Sequence, residues 1–304
     1  MTTSSPDSRR SSRTTRASRL IEAGGQIATT PPQDIDYQHS VLCQTSLPHR
    51  PTTARTWERE QGRVSLSIEA GRVKHGGQWV EVPLPHGEKP RLLLIHLNGE
   101  AMRTGSPEVD VEGSMTAFVR AIGIEPNGAH IRAFKDQTTR LAAATVRFAV
   151  GDEQHAMQGQ MQIVEAFDLW WPKDERQRVM WPTVLRLSDR YFRSLRDHAV
   201  PLDHRAVAVL KGSSLCLDVY GWLAQRLHRI HPARPQPISW AALKAQFGAD
   251  YGRERDFRAK FSKTWQAVST VYPAAKVEVT EGGLNLFRSP PPVPKRLVKG
   301  GLDA

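Results

Sequence analysis

The segment 202–288 most constrains the fold of this chain, because helical patterns follow one another there with short connections. After the N-cap pair Gly212-Ser213, one helical face repeats apolar residues at Leu215, Val219, Trp222, Leu223, Leu227 and Ile230. Three prolines between 232 and 237 end that helix, since proline cannot continue one. Ser239 then caps a short second helix, which Gly248 ends. This order predicts two helices joined by a turn.

A third helix is predicted over 253–271, and its two faces differ in character. The apolar face carries Phe257, Phe261, Trp265 and Val268, and the opposite face carries Arg255, Ser262, Lys263 and Gln266. Strand-like residues follow at 277–279 and 284–287, and Gly282-Gly283 is expected to supply the positive φ angles of a two-residue hairpin turn. The order helix, turn, helix, helix, hairpin is typical of a winged helix-turn-helix, a DNA-binding module.

A basic helical face is often only solvated, so the prediction of DNA contact depends on the order of all four elements. The candidate DNA-binding residues are Arg253, Arg255, Arg258, Lys260 and Lys263 on the third helix, and Lys276 and Arg288 on the hairpin. Most protein–DNA hydrogen bonds go to the DNA backbone. Each of these residues is therefore expected to contact phosphate more than base.

An earlier stretch follows a similar order. Pro90 opens a helix, a short strand lies at 109–111, Ser114 caps a second helix, and Pro126 opens a third helix that extends to Leu141. Strands near 146–150 and 161–169 then form a hairpin. The basic candidates in this stretch are Arg132, Lys135, Arg140 and Arg147. The predicted fold class is α+β, mainly helical, with two tandem winged helix-turn-helix domains that share no residue-level repeat.

The predicted organisation has four parts. Residues 1–42 are a disordered basic arm, 43–180 the first winged domain, 181–289 the second, and 290–304 an extended tail. Ser, Thr, Arg and Pro dominate the arm, and such composition buries too little apolar surface to offset the entropy of ordering. Two roles fit the arm equally well, nonspecific DNA affinity and solvation.

Composition favours a polyanionic partner. The net charge is +11 over 304 residues, which favours nucleic acid over a membrane. No apolar stretch is long enough to span a bilayer and no secretory h-region is present, so a cytoplasmic chain is expected. Cys43 and Cys216 are expected to be reduced thiols. His228 and His231 lack an acidic partner, and no phosphate-binding GxxxxGK[ST] loop occurs. We expect no enzyme activity, metal or cofactor.

Several segments of the chain resemble the plasmid replication initiators of the RepA type. They are Arg91-Leu92-Leu93-Leu94-Ile95, Gly113-Ser114-Met115-Thr116-Ala117-Phe118, the helix from Lys135 to Leu141, and the most specific one, Leu215 to Leu227 with its Leu217-Asp218-Val219-Tyr220-Gly221-Trp222-Leu223 core. The family pattern often has a bulkier residue where this chain has Gly221. The resemblance covers about residues 45 to 290.

The resemblance implies a bacterial protein that binds repeated sites in its plasmid origin and helps to open the adjacent duplex. It also implies recruitment of the host initiator and helicase, and a homodimer that represses its own gene. Two alternatives remain open from the sequence. One is a winged-helix transcription regulator, which would bind a palindrome; the other is a protein-interaction scaffold, whose DNA binding would be weak and insensitive to salt.

Overall fold

The computed structural model describes residues 15–110, 115–151, 156–166, 184–295 and 297. Helices and strands are mixed in them, which confirms the predicted α+β class. Two clusters of buried apolar side chains define two units. The first cluster draws its members from residues 41–195. The second draws most of its members from residues 200–286.

The elements of the first unit and its N-terminal extension are, in order, α1 (Arg16–Thr29), β1 (Ile35–His39), α2 (Ser40–Gln44), β2 (Thr56–Gln61), β3 (Val64–Glu69), β4 (Arg72–His75), β5 (Gln78–Glu81), α3 (Glu88–Thr104), β6 (Glu108–Asp110), α4 (Met115–Ala121), α5 (Gly128–Ala143), β7 (Thr145–Gly151), β8 (Ala156–Met161), β9 (Val164–Ala166), β10 (Val184–Leu187) and α6 (Asp189–His198). The second unit contains β11 (Ala199–Asp203), α7 (His204–Leu210), α8 (Ser214–Arg226), β12 (Gln236–Ser239), α9 (Trp240–Phe247), α10 (Glu254–Val271), β13 (Val277–Val279) and β14 (Gly283–Leu286).

The two units repeat one order of elements. Each has a long helix, a strand, two further helices and two closing strands: α3, β6, α4, α5, β9, β10 in the first unit and α8, β12, α9, α10, β13, β14 in the second. The strand orders also match, since β6–β10–β9 and β12–β14–β13 both place the last strand in the centre. All of these pairs are antiparallel. The main difference is that β7 and β8 are inserted in the first unit.

The predicted hairpin of the first unit forms but has a different partner. β7 and β8 pair with each other and join β3 in a four-stranded sheet of order β2–β3–β7–β8. The strand that pairs with β6 is β10, which places Leu185 opposite Val109, both 1% exposed. The strands that close this unit are β9 and β10, so the predicted closing strand at 146–150 was wrong, whereas the one predicted at 161–169 contains β9.

The division between the units lies later than predicted. Leu185, Leu187, Tyr191, Phe192 and Leu195 all belong to the first buried cluster, so β10 and α6 complete the first unit. The predicted boundary near residue 180, itself outside the described residues, is therefore too early. β1 and β11 pair antiparallel across the junction, with Ile35 opposite Asp203 and His39 opposite Ala199.

The predicted disordered arm is wrong from Arg16 onward, while residues 1–14 lie outside the described residues. Thr15 caps α1, and the helix packs against α7 and α10. Its apolar face carries Leu20, Ala23 and Ile27, which join the second cluster. The apolar residues of α1 are few and lie among Arg, Ser and Thr, so their helical spacing is hard to recognise in the sequence. In the predicted tail, Val293 is buried and Pro290 O accepts a hydrogen bond from Tyr272 Oη (2.7 Å).

The local predictions for the second unit hold closely. Ser239 caps α9 by accepting a hydrogen bond from the Ala242 N–H, and α10 spans Glu254–Val271. The hairpin turn lies one residue earlier than predicted, because Thr280 and Gly283 exchange backbone hydrogen bonds and leave Glu281-Gly282 as the turn. Cys43 and Cys216 are free thiols and are buried.

Candidate nucleic-acid interface

Aromatic packing fixes the direction in which α10 projects from the second unit. Phe257 and Phe261 are at most 1% exposed, and the Phe261 ring meets Trp240 of α9 edge to face at 5.9 Å. Gly248 permits the tight turn before α10, since a Cβ there would lie 2.2 Å from the Phe257 ring. α9 and α10 therefore form one rigid piece, and one long face of α10 remains outside the core.

Acidic side chains engage two of the predicted basic residues at the start of α10. Arg253 is the N-cap residue, and its Nε lies 2.9 Å from Asp256 Oδ2. Arg258 forms an ion pair with Glu254 and lies over the Trp240 ring at 5.4 Å. Acidic residues in the first turn also suit the positive end of the helix dipole. Arg253 and Arg258 therefore have local structural partners.

Three other cations of α10 are more available. Arg255 has a side chain that is 80% exposed, and its one ion contact among the described residues is with Asp256 at 3.8 Å. Lys260 and Lys263 are exposed, and within the described residues neither has an acidic partner within 4 Å. Helical spacing places Arg255 on the side opposite Phe257 and Phe261. The exposed cations of α10 therefore occur from the first turn of the helix onward.

The C-terminal end of α10 is covered by another helix. α1 packs on it so closely that a Cβ on Gly24 would lie 2.4 Å from Thr270 O. α7 also contacts α10. Since α1 covers the last turn, the accessible part of α10 is the part before it, which includes Lys263.

Lys276 and Arg288 lie at the base of the β13–β14 hairpin, away from its turn. The Phe287 N–H donates to Lys276 O (3.0 Å), and the Ser289 N–H donates to Leu227 O (3.2 Å). Burial lowers the pKa of His228, and the neighbouring Arg229, Lys295 and Arg288 lower it further. Arg288 therefore belongs to a cationic group with Arg229 and Lys295, and Lys276 lies beside it at the base of the hairpin, a few residues after the end of α10. The last residue of α10 is about 27 Å along that helix from its first residue.

In the first unit, α5 is the counterpart of α10. Arg132 is exposed and Lys135 is half-buried on this helix. Arg140 is held by the protein itself, since its Nε lies 3.0 Å from Asp136 Oδ1 and its Nη1 lies 3.4 Å from Leu84 O. Arg147 lies on β7, where Nη1 contacts Glu69 Oε2 at 2.7 Å. The structure therefore leaves Arg132 and Lys135 as the cations of α5 that have no acidic partner among the described residues.

The two units are joined through a buried arginine. Arg91 of α3 is 2% exposed, and its Nη2 donates to Leu47 O (2.7 Å) while Nη1 donates to Gly87 O (2.6 Å). Nη1 also donates to Pro48 O (3.3 Å), and Nε and Nη2 donate to the carboxylate of Asp218 of α8. α3 and α8 also pack against each other. The relative position of the two units is thus fixed by polar contacts as well as apolar ones.

No helix within the described ranges is both long and apolar enough to cross a membrane. A cluster of three or more His, Cys, Asp or Glu side chains able to hold a metal ion is also absent from the part of the chain that the structure describes.

Comparison with known proteins places the chain in a family. A family model described as plasmid-encoded RepA protein matches residues 84–242, which is just over half of the chain. The chain belongs to this family, whose members are plasmid replication initiators. The matched region runs from the segment before α3 to the start of α9 and does not include α10. A search of curated proteins finds no match.

Solved structures of RctB domains are among the matches to this chain. The structure of domains 2 and 3 of RctB, as a selenomethionine derivative, has a TM-score of 0.50 at 10% identity and covers 82% of this chain and 98% of its own. A second structure of RctB domains 2–3 has a TM-score of 0.48 at 9% identity and covers 82% of this chain and 96% of its own. The first likeness supports the mixed helix-and-strand fold over most of the chain.

Proposed function

We propose that this protein starts replication of its plasmid by binding repeated duplex sites in the origin. In this proposal the two repeated units are winged-helix domains, and α5 and α10 are their recognition helices. The observation that carries the proposal is the exposed part of α10, where Arg255, Lys260 and Lys263 project while α1 covers the C-terminal end. Recognition helices of this class contact base edges with their N-terminal residues.

The equivalent helix of the first unit supports the same mode of binding. Arg132 and Lys135 occupy α5, and the C-terminal end of α5 is covered as in α10, since a Cβ on Gly71 would lie 1.8 Å from Ala143 O. Two such helices on one rigid body fit two successive major grooves on one side of the duplex. That geometry suits direct repeats better than a palindrome. Lys276 and Arg288 are then candidates for contacts to the DNA backbone further along the binding site.

The remaining steps of initiation are proposed from the family. They are opening of the adjacent duplex, recruitment of the host initiator and helicase, and repression of its own gene by a homodimer, all in the bacterial cytoplasm. The family role is one of DNA binding without catalysis, so we propose no enzymatic step. The proposed mechanism uses no metal ion and no cofactor.

Plasmid maintenance tests the proposal. A reporter plasmid that carries the candidate origin should replicate in a bacterial host only when the chain is supplied in trans. The double variant Arg132→Ala with Arg255→Ala should abolish maintenance, whereas Arg196→Ala, an exposed arginine of α6, should preserve it. Maintenance of the reporter without the chain would contradict the proposal. Repression of a promoter without any maintenance would favour a transcription regulator.

A further inference from the structure

A short hairpin of the first unit presents an unusually exposed tryptophan. β4 and β5 pair only with each other, and His75 opposite Gln78 leaves Gly76-Gly77 as the turn, both with positive φ. Trp79 is 59% exposed. The free energy is higher when an indole ring is exposed to water than when it is buried in an apolar core. A single exposed apolar side chain is common on protein surfaces, so the meaning of this one depends on the groups around it.

The base of this hairpin is held rigidly. Arg55 donates from Nη2 to Ala70 O (2.7 Å) and from Nη1 to Val82 O (3.2 Å), which ties the two ends of the hairpin together. Gly71 packs on the end of α5, as described above. Val73 is 3% exposed, so one face of the hairpin rests on the protein and the other faces solvent. Trp79 is therefore presented by a fixed support.

The solvent face of the hairpin combines the indole with positive charge. Strand alternation places Arg72, Lys74, Trp79 and Glu81 on this face, and Lys74 lies directly opposite Trp79. The Arg72 Nη2 donates to the backbone carbonyl of Trp79 (3.2 Å), which holds its guanidinium against the backbone of this residue. The single acid, Glu81, lies 3.5 Å from Arg55 Nη1 and is thereby partly neutralised. The surface next to the ring is cationic.

We propose that the β4–β5 hairpin binds single-stranded DNA, with an unpaired base stacked on Trp79 and neighbouring phosphates on Lys74 and Arg72. An exposed aromatic ring next to cations is the combination that binds single strands without sequence preference. A base within a duplex has both faces covered by its neighbours and is not available to the ring. The proposal rests on the proposed function for its role, because an opened origin would supply the unpaired strand.

Fluorescence anisotropy with the full-length protein tests this site. Two labelled probes are compared. One is a mixed-sequence single strand, and the other is a duplex that contains the candidate origin repeats. Trp79→Ala should weaken single-strand binding about 5- to 100-fold, from the usual energy of one base–aromatic stack, while Trp79→Phe retains most of the affinity. Lys74→Gln should reduce the salt slope for the single strand by about 0.7. Val80→Ala is the matched control, because Val80 is exposed on the same hairpin but on its other face.

Three results would overturn the proposal. They are single-strand affinity within twofold of wild type for Trp79→Ala, an equal loss on the duplex, and an equal effect of Val80→Ala. The first of these would also be the result if the hairpin docks a protein. The duplex arm separates this proposal from the wider function: if wild type binds the single strand through Trp79 but ignores duplex repeats, the hairpin site stands and the initiator function fails.

Discussion

Arg91 and Asp218 form a two-point ion pair that connects the units, with Nε to Oδ1 at 2.6 Å and Nη2 to Oδ2 at 2.7 Å. The two side chains are 3% and 9% exposed. Burial raises the pKa of Asp218, and Arg91 opposes that shift. Because removal of both charges from water offsets most of their attraction, such a pair fixes geometry more than it adds stability. Here it fixes the orientation of α3 relative to α8.

Breaking this pair on one side should be costly. Asp218→Asn leaves the Arg91 guanidinium buried without a counter-charge, so we expect the free energy of unfolding to fall by about 3–5 kcal/mol, measured by urea denaturation. The double variant Arg91→Met with Asp218→Leu should recover a large part of that loss. A loss below about 1 kcal/mol for Asp218→Asn would show that the pair is solvated and does not connect the units.

Substitution of Arg255 and substitution of Arg258 should have different effects on DNA binding. Arg255→Ala should reduce the salt slope of duplex binding by about 0.9, the value for one phosphate contact. Arg258→Ala should leave the slope nearly unchanged, because its guanidinium already contacts Glu254 and Trp240. Anisotropy titrations over a range of salt concentrations measure both, with Arg196→Ala as a charge-matched control. An equal change in slope for Arg255→Ala and Arg196→Ala would remove Arg255 from the interface.

Two glycines should respond oppositely to alanine. A Cβ on Gly221, inside α8, would meet Cys43 Sγ at an ordinary contact distance of 3.4 Å. Gly221→Ala should therefore stabilise the protein by about 0.5–1 kcal/mol, since glycine is a poor helix former. A Cβ on Gly283 would lie 1.9 Å from Ile238 O, so Gly283→Ala should destabilise the protein. Thermal unfolding compares the two, and a lower Tm for Gly221→Ala would show that α2 lies closer to α8 than described.

Stability should fall on mild acidification because of His39. Its Nδ1 accepts from the Val41 N–H (3.2 Å) and its Nε2 lies 3.0 Å from Ser194 Oγ, so the neutral ring is satisfied. Burial, with a smaller effect from His198, lowers the pKa of His39 from 6.5 to about 4. Between these values the unfolded chain takes up a proton that the folded chain does not. The stabilisation is therefore present above pH 6.5 and is lost as the pH falls towards 4.

Urea denaturation at several pH values checks this expectation. One histidine contributes a slope of about 1.4 kcal/mol per pH unit across that window. His39→Asn keeps a capping oxygen for α2 but removes the titrating ring, and it should lower the slope by about this amount. An identical slope for wild type and variant would show that His39 is protonated in the folded protein.

The parts of the fold with local signals could be predicted from the sequence. Ser239 and Gly248 mark the ends of α9, and the spacing of Phe257 and Phe261 marks the buried face of α10. Capping and helical periodicity depend on residues a few positions apart, so these elements were predicted nearly to the residue. The partner of β6 could not be predicted in this way, because β10 lies more than seventy residues later.

The candidate site was only partly predictable for the same reason. Arg255 and Lys263 follow from the polar face of α10, and the i,i+4 pair of Arg140 with Asp136 is also a local helical feature. The ion pair of Arg147 with Glu69 depends instead on the pairing of two strands that are distant in the sequence. The exposure of Trp79 left no mark in the sequence, since Val-Lys-His-Gly-Gly-Gln-Trp-Val is equally typical of a half-buried hairpin. Exposure depends on what the remainder of the chain leaves uncovered.

The most direct test of the account is a footprint of the full-length protein on the DNA that flanks its own gene. We expect protection of several direct repeats in phase with the DNA helix, and loss of protection in the Arg255→Ala variant with Arg132→Ala. A single protected inverted repeat, or no protection at moderate salt, would contradict the claim that this protein is an initiator that binds origin repeats through α5 and α10.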